Sequence, residues 1–102
     1  MFTELLASGS GGGSAKVVEI SKTTTDGANN VTVNGLSKIY SVFGTASGAG
    51  TVYSYLDEND TYVPFSTSSL YFNITSVSDN TFTLTQGAWG SPVSYSFVVF
   101  GI

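Results

Sequence analysis

The most constraining feature of this chain is a strict two-residue alternation of apolar and hydroxyl-bearing side chains. Phe82 and Leu84 alternate with Thr81, Thr83 and Thr85, and from Val93 to Val99 every second residue, Val93, Tyr95, Phe97 and Val99, is large and apolar. Successive side chains of an extended backbone point to opposite faces, so each stretch reads as a strand with one face turned into a core. After residue 7 no helical period competes. Ser and Thr supply 29 of the 102 residues, whereas Glu, Lys and Gln, which favour helices, are scarce. The expectation is an all-β fold, a single antiparallel β-sandwich or small barrel of about 6–8 short strands.

The chain divides at residue 15. Residues 1–15 hold a short apolar piece, Phe2 to Ala7, then the tract Ser8-Gly9-Ser10-Gly11-Gly12-Gly13-Ser14. Glycine-rich chain loses much entropy on ordering, so this part is expected to be a flexible N-terminal arm, with Phe2, Leu5 and Leu6 as an anchoring tip. Residues 16–102 form the sandwich domain. Lys16 to Ser21 alternates, Thr23 to Asn30 reads as a loop, and Val31-Thr32-Val33 is a second strand. Asn34-Gly35 predicts a type I′ hairpin into Leu36 to Phe43, with Ile39 and Phe43 on one face and Tyr40 and Val42 on the other. Gly44 to Gly50 is a second loop. Thr51 to Leu56 sets Val52 and Leu56 against Tyr53 and Tyr55, and Tyr62 to Phe65 is an edge strand because of Pro64. Leu70 to Thr85 is a hairpin turning at Asp79-Asn80, with a slip of phase between Ile74 and Val77 that predicts a bulge.

Composition excludes several functions. Histidine, cysteine and arginine are absent, and Lys16, Lys22 and Lys38 face seven acids, for a net charge of −4. Nucleic acids and anionic membranes draw their ligands through clustered cations, so neither is an expected partner. Ser–His and Cys–His catalysis is impossible, and a Ser37-Lys38 pair reads as a turn with a solvated charge. No enzyme is expected, and no cofactor. Asp57, Glu58, Asn59 and Asp60 offer oxygens of the kind calcium takes, but their spacing is not that of an EF-hand loop, and they read as a solvated turn without a metal.

Fourteen aromatic residues remain to be placed. Phe43, Phe72, Phe82 and Phe97 are assigned to the core. Tyr40, Tyr53, Tyr55, Tyr71 and Trp89 are left as candidate partner contacts, since Tyr and Trp join a large apolar area to a polar tip.

An apolar N-terminus, a glycine-serine leash and a cysteine-free domain of threonine-alternating strands such as Ser76 to Thr85 together resemble small virion accessory proteins of tailed bacteriophages, of the capsid decoration (cement) or short head or tail fibre type. The resemblance implies a structural protein of the virion, assembled in the host cytoplasm. It would be homotrimeric and bound to the major capsid protein or another virion protein. A receptor- or carbohydrate-binding fibre module and a pilin-like filament subunit are the alternatives.

Overall fold

A computed structural model describes residues 15–48, 50–66 and 72–102, with side chains left aside at 64–66. Phe2, Leu5, Leu6, the glycine-serine tract, Leu70 and Tyr71 lie outside the described residues. Eight strands follow one another: β1 (Lys16–Thr24), β2 (Gly27–Thr32), β3 (Ile39–Ala46), β4 (Gly50–Leu56), β5 (Tyr62–Ser66), β6 (Phe72–Ser78), β7 (Thr81–Gln86) and β8 (Val93–Gly101). They form two antiparallel sheets, β1-β8-β3-β4-β5 and β2-β7-β6. The fold is therefore all-β, as the alternation requires.

The core lies between the sheets. β8 presents Val93, Tyr95, Phe97 and Val99, all at most 7% exposed, and β7 presents Phe82 and Leu84 from the other layer. Phe97 joins the layers: its ring meets Phe82 edge-on at 4.9 Å and stacks on Tyr95 at 5.3 Å. Gly44, opposite Phe97 in the β3–β8 ladder, makes room for that ring. A Cβ at Gly44 would stand 2.6 Å from two of its carbons.

Tyr95 is buried, yet its hydroxyl finds no hydrogen-bond partner among the described residues. Burial pushes its pKa up to about 12. A buried hydroxyl without a partner loses its hydration for nothing, so Tyr95→Phe should leave stability unchanged or raise it by up to ~1 kcal/mol. The sign of the pH effect follows from proton binding. With the folded pKa above the unfolded value of ~10, the folded state holds the proton longer, so stability falls as pH rises from about 10 to 12. Thermal melts across that range should show a shallower alkaline limb in Tyr95→Phe; a variant markedly less stable at neutral pH would refute the assignment.

Several expectations are corrected. The loop read from Thr23 to Asn30 shrinks to Thr25 and Asp26, because Asn29 supplies turn bonds from its side chain. Its amide donates to the carbonyls of Thr25 and Gly27 and its oxygen accepts from Thr25 N–H. Asn34-Gly35 is a turn but not a hairpin, since β2 and β3 belong to different sheets. Only Gly35, at φ 95°, enters the positive region, whereas a type I′ turn needs both residues there. The buried Val33 and Leu36 on either side make the turn a crossing between layers. Gly44 to Ala46 belongs to β3, and Gly50 already opens β4, so both ends of the expected loop are strand.

The correction with most bearing on function concerns β3. Its ladder with β8 pairs Ile39 with Gly101 and then Ser41 with Phe100, leaving Tyr40 as an extra residue. This bulge reverses the phase, so Ile39 and Val42 both face the core and Phe43 faces outward. The expected edge strand at Pro64 and the slip after Ile74 appear as read: β5 ends its sheet, and the β6–β7 register shifts between Ile74 and Ser76.

Candidate functional site: the outer face of the five-stranded sheet

Cross-strand register lays out the outer face of the larger sheet row by row. One row runs Val17, Phe100, Ser41, Tyr55, Val63; the next runs Glu19, Val98, Phe43, Tyr53; a third runs Ser21, Ser96, Thr45, Thr51. One end of the face is therefore apolar and aromatic, and the other carries small hydroxyls. Val17, Phe43 and Val98 are 63%, 44% and 41% exposed, a large apolar area left facing outward. The rings are ordered among themselves, with Phe43 edge-on to Tyr53 at 6.2 Å and Tyr53 stacked on Tyr55 at 5.6 Å. Glu19 is the single charged residue in these rows.

The outer face of the smaller sheet is built differently. Thr32 and Thr81 share a hydrogen bond at 3.2 Å and Thr75 and Thr85 one at 2.8 Å, while the Thr83 hydroxyl donates to Asn30 Oδ1 at 2.7 Å. Its hydroxyls bond to one another and leave water the remaining lone pairs. That face suits solvent.

The candidate contact residues separate accordingly. Tyr53 and Tyr55 lie on the apolar face. Tyr40 does not: it is 4% exposed, and the bulge turns it into a second apolar cluster with Leu56, Tyr62, Phe100 and Ile102. Trp89, 39% exposed, sits in the β7–β8 connection at the opposite end of the strands, edge-on to Phe72 at 5.2 Å. Phe43, assigned to the core from sequence, is instead the centre of the patch, with Val17 and Val98 beside it. The signal that could have found it is the doubly apolar run Phe97 to Phe100, which leaves Val98 facing outward and requires an apolar neighbour on β3.

The charged groups elsewhere have local tasks. Burial alone would lower the pKa of Lys38, but its ion pair with Asp60 at 3.3 Å outweighs that and holds it above its ordinary value. A lysine raised in this way is the reverse of a general base. The Asp57 carboxylate accepts from the backbone N–H groups of Asn59 and Thr61 and so closes the β4–β5 turn. Among the described residues no group of three or more acids, histidines or cysteines gathers where a metal ion could be held.

No known protein family matches this chain, nor does any curated protein or any solved structure.

Proposed function

We propose that this chain is a non-enzymatic structural subunit that joins a larger assembly through the outer face of its five-stranded sheet. The setting is a bacteriophage particle, where it serves as a decoration or fibre protein. One observation carries the reading: the two outer faces of a single sandwich differ in chemistry, with Val17, Phe43 and Val98 exposed beside the half-buried Tyr53 and Tyr55 on one and a self-satisfied Thr/Asn network on the other. An apolar face of this kind is what association covers. A sugar site is a poorer match, because the rings of the patch have no carboxamide and only the peripheral Glu19 carboxylate in their rows to bond sugar hydroxyls. A pilin-like subunit would leave inner apolar rows waiting for a donated strand, whereas Phe72, Phe82, Phe97 and Val99 are already buried.

The test is cosedimentation with particles depleted of the chain. Phe43→Lys combined with Val98→Lys should weaken attachment ~100-fold or more, since it buries charge against apolar groups. Thr83→Lys combined with Thr85→Lys, on the opposite face, should attach like the wild type. Phe43 and Val98 are exposed, so that variant should melt near the wild-type temperature, whereas the Thr83 and Thr85 variant gives up its hydrogen bonds to Asn30 and Thr75 and should melt somewhat lower while staying folded. Equal attachment by all three proteins would sink the proposal.

A further inference from the structure

We infer that the outer face of the five-stranded sheet receives an arginine side chain of its partner in a recess between β1 and β8, with Glu19 as the counter-charge. The inference rests on the reading of this face as the contact surface and names the chemistry that meets it.

The recess follows from register. Glu19 pairs with Val98, Ile20 with Phe97, and Ser21 with Ser96. The side chains of Ile20 and Phe97 turn to the core, so between the two outward pairs lies the bare backbone of the ladder. Glu19 and Val98 wall this floor on one side and the short Ser21 and Ser96 on the other, leaving an opening of about 250 Å³. One water takes ~30 Å³, so the opening has room for a side chain.

The lining selects what enters. Val98 offers methyl groups, Ser21 and Ser96 offer hydroxyls, and Glu19 sets a carboxylate at the rim. An arginine meets all of these. Its stem packs along Val98, its guanidinium forks onto the Glu19 carboxylate, and its remaining N–H groups donate to the serine hydroxyl oxygens. A lysine ammonium is a compact point charge and cannot present a flat fork to carboxylate and hydroxyls together.

Electrostatics asks for the same partner. Glu19 is the single charged residue in the outward rows, and among the described residues the one ion pair joins Lys38 and Asp60. Lys16 and Lys22 share the strand with Glu19 but fall on its other face. Covering Val98 removes water from Glu19 directly across the ladder, and a desolvated carboxylate without a counter-charge opposes binding strongly. The partner therefore brings the cation. This chain contains no arginine and carries a net charge of −4, so the occupant is a different protein with a locally basic contact surface, and the field of an acidic chain favours the encounter.

The experiment is cosedimentation with particles depleted of the chain, at low and high salt. Glu19→Gln keeps the side-chain shape at an exposed position and should melt like the wild type. It should attach ~10-fold more weakly at low salt, and its attachment should vary less with salt than that of the wild type. Blocking the arginines of the depleted particles with phenylglyoxal should weaken the wild type and add little to the loss in Glu19→Gln. Acetylating their lysines should affect both proteins equally. If Glu19→Gln attaches like the wild type while Phe43→Lys with Val98→Lys does not, the inference falls and the contact surface stands. If both variants attach like the wild type, both fall. Equal losses from phenylglyoxal in wild type and Glu19→Gln, or a loss on lysine acetylation that only the wild type shows, would also overturn the arginine.

Discussion

Phe97→Ala is expected to lose about 3–5 kcal/mol of folding stability, as removal of a fully buried ring usually does. Phe97 is 1% exposed, bridges the layers through Phe82 and Tyr95, and fills the space that Gly44 leaves on the neighbouring strand. A domain of this size has about 5–15 kcal/mol in total, so the variant should sit close to unfolding at ambient temperature. Urea titration measures the loss directly, and a midpoint shift worth less than ~1 kcal/mol would contradict the assignment of Phe97 as the bridge between layers. A double-mutant cycle sharpens the test. Gly44→Ala alone forces a methyl against the ring and should cost ~1–3 kcal/mol, whereas in the Phe97→Ala background the methyl enters the vacated space and the cost should largely disappear.

The second large effect is expected at Gln86, where Gln86→Leu should cost about 2–4 kcal/mol although the side chain volume is nearly kept. Gln86 is 1% exposed and uses both ends of its amide. Its Oε1 accepts from the Thr24 hydroxyl at 2.7 Å, and its Nε2 donates to Asp26 Oδ1 at 2.9 Å and to the Ser91 carbonyl at 3.0 Å. The Gly90 N–H adds a bond to the same carboxylate. Together these bonds tie the β1–β2 corner to the β7–β8 connection, so one side chain closes that end of the sandwich. A leucine removes every one of its bonds and returns only packing.

The same network sets a pH dependence. The Gln86 amide, and after it the Gly90 N–H, hold the Asp26 carboxyl below its usual pKa. Because the folded value is the lower one, the stabilisation is present above the unfolded value of ~3.9 and is lost as pH falls through the folded value. Gln86→Leu should therefore flatten the acid limb of the stability profile. Gln86→Glu should be worst near neutrality, where two carboxylates would face each other, and should recover on acidification. An acid limb unchanged in Gln86→Leu would show that Asp26 is not held by this residue.

Some of this was legible in the residues themselves. Alternation in Val93 to Val99 and Phe82 to Leu84 determined which side chains enter the core, because a period of two leaves an extended strand no other choice once one face is buried. Pro64 determined an edge, since its nitrogen has no proton for a ladder. The slip after Ile74 announced a bulge because the break in phase is written in consecutive residues. Tertiary structure alone decided the contact face. Phe43 turns outward through the bulge at Tyr40, and that bulge exists because Ile39 and Ser41 both take partners on β8, more than fifty residues away. Gln86 reads in the sequence as one more polar residue at a strand end, and its role appears only when Thr24, Asp26 and Ser91 arrive around it. Local alternation specifies a face, but register between distant strands chooses which face is buried and which polar groups meet, and register is a property of the paired chain.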